Sequence, residues 1–178
     1  MARHADASRR AAAETPEARL ALNQSRIGHR YAPYLYEVSR EKVREYALAT
    51  GDCDPRYLAE KGDMLAPSTF AACFTIARGT AWAGDPELGT HPALVHGRQE
   101  FEFHRPVRVG DRLRCTPWIA DITARSRNEF LTLQIDCVDD RTDEPVVTSR
   151  ATLVFFGEGA GVPGAGAAAA RSTGAAEG

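Results

Sequence analysis

The sequence has no stretch apolar enough and long enough to cross a bilayer, and its opening residues, MARHADASRRAAAETPEARLALNQS, hold no apolar segment of signal-peptide type. A cytoplasmic location is therefore expected. Asp6, Glu14 and Glu17 interrupt the Arg-rich start and argue against an organelle-targeting peptide. An excess of either charge is also missing: 22 basic and 24 acidic residues nearly cancel. With no net positive field to gather phosphates, neither nucleic acid nor a membrane surface is an expected partner. Cysteine is sparse and scattered, at Cys53, Cys73, Cys115 and Cys137, with no CxxC pair and no His at metal-ligand spacing. Neither zinc nor a redox dithiol is indicated, so no metal or cofactor is expected and the four are read as free, mostly buried thiols.

What is present is enough apolar material, 43% of 178 residues, for one globular domain with tails. Residues 1–25 are rich in Ala and Arg without a sustained apolar face, so burial there does not offset the entropy of ordering. From residue 158 onward the chain is almost entirely Gly and Ala, the composition of a flexible tail. The expected domain spans residues 26–157.

Within it, Ser39 is a good N-cap for a helix over Arg40 to Thr50, with Val38 and Val43 placed as a hydrophobic staple and Gly51 available to end it. Val43, Tyr46, Ala47 and Thr50 recur at helical spacing and mark its inward face. Asp54 followed by Pro55 reads as the cap and first residue of a short helix running to Gly62. The segment PSTFAACFTIARG carries no charge between Pro67 and Arg78, and a helix apolar on all sides must be surrounded by protein. From Leu94 the pattern changes to period two, with Phe101 and Phe103 opposing Glu100 and Glu102, and Leu113, Cys115 and Ile119 continuing it. Pro117 implies an edge or a bulge. Leu131, Leu133, Ile135 and Cys137 form a further alternating face, and Val146 to Phe156 another strand after a polar turn at Asp139 to Pro145. The fold class is α+β. A long buried helix followed by a meander of long strands is, by analogy, the element order of a single hot-dog domain, in which a curved antiparallel sheet wraps the central helix.

The segment Gly51-Asp52-Cys53-Asp54-Pro55-Arg56-Tyr57 resembles the signature of MaoC-like R-specific hydratases and dehydratases, which ends Gly-Asp-x-Asn-Pro-x-His. Gly51, Asp52 and Pro55 match; Asp54 replaces Asn, and Tyr57 stands where the catalytic His belongs. Leu65 to Phe70, Val95-His96-Gly97, Phe101 to Pro106 and Gly110-Asp111 extend the similarity to the MaoC dehydratase N-terminal domain. The chain looks most like the non-catalytic subunits of heterodimeric (3R)-hydroxyacyl-carrier-protein dehydratases.

That resemblance implies an acyl-ACP or acyl-CoA thioester ligand and a hot-dog partner bearing the catalytic His, in a heterodimer or else a homodimer. Dehydration needs a base for the α-proton, an acid for the departing hydroxide and donors for the enolate-like oxygen. Asp52 is the candidate carboxylate, although a turn role is equally compatible with its place. Tyr57 occupies the family His position, but a phenol with an ordinary pKa near ~10 is a poor base at neutral pH. His96, with His91 and His104 near it in sequence, is a candidate replacement imidazole. Pro67, Ser68, Thr69, Phe70 and Phe74 are the candidate substrate-binding residues, with backbone N–H groups around Ser68 facing the thioester; Pro67 has none to offer. Arg98, Arg105, Arg108, Arg112 and Arg114 are a candidate positive face for an acidic carrier protein. Two alternatives stand beside the subunit reading: a self-sufficient enoyl hydratase using Asp52, and a non-enzymatic acyl-binding module. A thioesterase is disfavoured because no carboxylate lies between Pro67 and Arg78.

Overall fold

A computed structural model describes residues 21–89 and 93–156. Strand β1 (Tyr34–Glu37) leads to helix α1 (Arg40–Ala49), a 3-10 turn at Pro55–Tyr57, and a second at Ser68–Phe70 that runs directly into helix α2 (Ala71–Thr75). After a 3-10 turn at Ala81–Gly84 come β2 (Leu94–Phe103), β3 (Arg112–Arg125), β4 (Asn128–Asp139) and β5 (Pro145–Phe156). The five strands form one antiparallel sheet in the order β1-β3-β4-β5-β2. Register breaks at His96/Arg98, Ile119/Asp121 and Cys137/Val138 supply the local twist that curves it. This is the hot-dog arrangement, with α2 in the concavity.

The local signals for α1 hold. Ser39 Oγ accepts the Lys42 N–H, Val38 and Val43 are both buried, and Gly51 takes the positive φ of 73° that ends the helix. Thr50, expected on the inward face, is exposed, its hydroxyl donating to the Tyr46 and Ala47 carbonyls. Asp54 does cap the next turn, accepting from the Arg56 N–H, but that helix stops at Tyr57, well short of Gly62. Pro117 costs β3 no ladder bond: its carbonyl accepts from the Tyr31 N–H, so its nitrogen also faces the 28–31 segment and away from β4.

The central helix is shorter and less enclosed than the sequence suggests. Ser68 to Thr75 is eight residues, beginning in 3-10 geometry. The buried Thr75 hydroxyl donates back to the Ala71 carbonyl, a bond that bends helices, and the Gly79 N–H closes the end on the Thr75 carbonyl. Gly79 then lies so close to the sheet that an added Cβ would meet Ile135 Cδ1 at 2.3 Å. Phe70, Ala71, Phe74 and Thr75 are buried, whereas Ser68, Thr69, Ile76 and Ala77 face solvent. A run of small uncharged residues tolerates exposure, so lack of charge did not imply burial on every side.

Because α2 is short, the concave face carries two separate cores. One gathers Phe70 and Phe74 with Val38, Val43, Met64, Leu113, Val146 and Val147 beneath the helix. The other joins Ile119, Ile122, Leu131, Leu133, Leu153 and Phe155 to Leu22 and Leu88. Leu22 lies inside the expected N-terminal tail yet is 2% exposed, so packing begins ahead of residue 26. Buried Glu129 holds it there, its carboxylate accepting the Ala21 and Leu22 N–H groups. Residues 1–20 and 157–178 lie outside the described residues. Among the described residues no helix is long and apolar enough to cross a membrane.

Candidate functional site

Between the two cores the concave face is left uncovered, and there the protein has a cavity of about 90 Å³. The C-terminal end of α2 supplies one wall with Thr75, Ile76, Gly79 and Thr80; Leu133 and Ile135 of β4 form the floor. Ser149, Ala151 and Leu153 of β5 and His96 and Gln99 of β2 complete it, with Trp82 at the side of the second core. Trp82 meets Phe155 edge-on at 6.2 Å and also lines a neighbouring cavity of about 280 Å³. The turn carrying Trp82 is tied down by Asp85, whose carboxylate accepts from Arg26 at 2.7 Å and from the Tyr31 hydroxyl at 2.8 Å. Burial works against that charge, but the bonds from Tyr31, the Glu87 N–H and Arg26 hold the Asp85 carboxyl below its usual range.

Of the described residues nominated from sequence, only His96 lines this cavity. Asp52 Oδ1 accepts the Asp54 N–H at 3.2 Å, and its own N–H donates to the Ala47 carbonyl, which is a turn's bonding pattern. Asp54 pairs with Arg56 at 2.6 Å, and those hydrogen bonds hold its carboxyl below the ordinary value. The Arg56 guanidinium lies 5.5 Å over the Tyr57 ring. Phe70 and Phe74 have no exposed surface and stack with Tyr36 and Tyr46 in the first core. The Phe70 N–H is used within the first turn on the Pro67 carbonyl, so a donor role at the helix start falls to exposed Ser68 and Thr69. His104 is exposed, 3.0 Å from the Thr148 hydroxyl; His91 lies outside the described residues.

The expected positive face is largely neutralised: Arg98 pairs with Glu100, Arg112 with Asp140, Arg114 with Asp143, and Arg105 with Asp111, Asp139 and Glu144. The cysteines, far apart in sequence, include one spatial pair. Cys115 and Cys137 face each other across β3 and β4, buried, and their contact and burial push the Cys137 thiol well up. Among the described residues no cluster of His, Cys, Asp and Glu is arranged to hold a metal ion. Gln99 and Ser149 were missed from sequence, although a signal was there: Gln99 is the polar neighbour, two residues away, of half-buried Phe101 on the same face of β2.

The curved antiparallel sheet with α2 in its concavity defines a hot-dog protein. The chain belongs to the FAS1-like, dehydratase domain region family, which matches residues 25–149. It is 42% identical over 145 residues to the UPF0336 protein of Saccharopolyspora erythraea, covering 76% of this chain and 92% of that one. The UPF0336 protein of Mycolicibacterium paratuberculosis is 33% identical over 140 residues, covering 72% and 78%. Among solved structures, the C-terminally truncated HadBC (3R-hydroxyacyl-ACP dehydratase) complex of Mycobacterium tuberculosis matches with a TM-score of 0.61 and 25% identity, over 70% of this chain and 92% of that one. A MaoC-like dehydratase matches with a TM-score of 0.67 and 26% identity, over 76% of this chain and 43% of that longer one.

Proposed function

We propose that this chain is the acyl-thioester-binding subunit of a (3R)-hydroxyacyl-ACP or -CoA dehydratase, working in fatty-acid or related acyl metabolism with a hot-dog partner that carries the catalytic His. The observation that carries the reading is the occupancy of the signature segment. Tyr57, capped by Arg56, stands at the family His position, and the Asp52 carboxylate is engaged by the Asp54 N–H. The half-open apolar cavity between α2 and the sheet suits an acyl chain. The β2 edge, which carries Leu94 and Val95 at 42% exposure and Phe103 at 38%, has no strand on its outer side among the described residues, as a strand awaiting a partner's strand would. That one matched structure is described as a HadBC complex supports a partnered assembly.

The test is to express the chain alone and with a neighbouring hydratase-motif protein and to assay hydration of enoyl thioesters. Little activity alone and strong activity on mixing is expected. Robust activity of the lone chain, lost on Asp52→Asn, overturns the reading. A self-sufficient hydratase is favoured by one observation, His96 at the cavity, and His96→Gln in the lone chain separates the two.

A further inference from the structure

We propose that Gln99 and Ser149 form a polar clasp inside the cavity that holds the 3-hydroxyl oxygen of the bound acyl chain; this rests on the acyl-binding reading above. Gln99 Oε1 and Asn128 Oδ1 are the buried side-chain polar atoms without a hydrogen-bond partner among the described residues. Asn128 opens β4 at the hairpin turn and does not line the cavity, whereas Gln99 does. A buried acceptor left unpaired costs free energy, so its retention calls for a ligand.

The orientation of the amide is fixed by its surroundings. Gln99 Nε2 lies 3.1 Å from the Glu100 carbonyl, which can only accept, and 2.8 Å from Ser149 Oγ. The nitrogen must therefore face Glu100, and the oxygen is the atom left over. Ser149 is 2% exposed; its hydroxyl accepts from Gln99 and keeps its own hydrogen to donate.

The backbone is shaped to bring a third polar group to the same place. His96 and Gln99 are three residues apart and in a regular strand would face opposite sides of the sheet. The register break between His96 and Arg98, centred on Gly97, changes this: His96 pairs with Leu153 and Gln99 with Ala151, which share one face of β5. A side chain at Gly97 would bring its Cβ to 2.9 Å from Val154 Cγ2. The group that fits a free acceptor beside a free donor hydrogen is one that both donates and accepts, a hydroxyl. A keto oxygen satisfies only the donor, and a saturated chain satisfies neither.

The experiment is calorimetric titration of the full chain, alone and with its partner, with (3R)-3-hydroxyacyl-, 3-ketoacyl- and saturated acyl-CoA of one chain length. The wild type is expected to prefer the hydroxyl ligand over the keto one by about tenfold, the worth of the one hydrogen bond that only the hydroxyl makes to Gln99 Oε1. Gln99→Leu and Gln99→Met bring that ratio close to one. Equal affinities in the wild type, which need no variant to fold, overturn the clasp, as does a ratio unchanged by either substitution, the result expected if Oε1 merely holds a water. Binding of none of the three ligands overturns the acyl-binding reading and the clasp with it.

Discussion

Replacing Phe74 by alanine tests whether this ring is core or ligand wall. Phe74 has no exposed surface and sits 5.3 Å from the Tyr36 ring and 6.3 Å from Phe70. Removing a fully buried aromatic ring costs about 3–5 kcal/mol, through lost transfer free energy plus the cavity left behind. The upper part of that range applies here, because α2 is only five residues long and has no intrinsic helical stability to fall back on. At about 2–4 °C per kcal/mol for a chain of this length, the melting temperature should drop by roughly 10–15 °C. Circular dichroism melts, with a urea midpoint at constant m-value, measure it. Phe74→Leu, which keeps much of the apolar volume, should lose markedly less. A fall below about 3 °C together with lost acyl binding would refute the reasoning, because it would place the ring at the ligand and not in the core.

Arg105→Met removes a guanidinium that contacts Asp111 at 2.8 Å, Glu144 at 3.3 Å and Asp139 at 3.4 Å, leaving the mostly buried Asp111 uncompensated. Urea denaturation should show a loss of about 2–3 kcal/mol. The depressed Asp85 carboxyl contributes stability that is present above the ordinary carboxylate pKa, near ~3.9, and is lost as pH falls through its lower folded value. The stability gap between wild type and Asp85→Asn should therefore be full at neutral pH and narrow below about pH 4; a pH-independent gap contradicts this. Thiol titration of the native chain at neutral pH should give one fast equivalent from exposed Cys53 and a slow one from half-buried Cys73, whose thiol burial pushes up. Cys115 and Cys137 should react only in denaturant.

Local chemistry made the caps and strands legible. Ser39 and Asp54 act on amides two or three residues away, and the alternation of Leu131, Leu133, Ile135 and Cys137 needs only a sheet with one buried face. What the sequence hid depends on contacts between distant segments. Strand β1 is four residues long and exists because Tyr34 to Glu37 pair with Arg112 to Cys115. Leu22 is held by Glu129, more than a hundred residues away, so no local window could mark it as core. The cavity was hidden for the same reason: Thr75, Leu133 and Ser149 meet only when the sheet curves.

The length of α2 links the fold to the site. A helix spanning the whole concavity would merge the two cores and fill the space between them. Instead the chain leaves the sheet after Gly79, where the approach to Ile135 admits no side chain, and returns only at Trp82 and Leu88. The cavity is the interval between these two covers. One side is the α2 end, fixed through Phe70 and Phe74; the other is a turn secured by Asp85, Arg26 and Tyr31. Shape on one side and polarity on the other are thus set by different residues. Loosening the Asp85 anchor should widen the apolar interval, while the Gln99 and Ser149 pair on the sheet keeps its geometry.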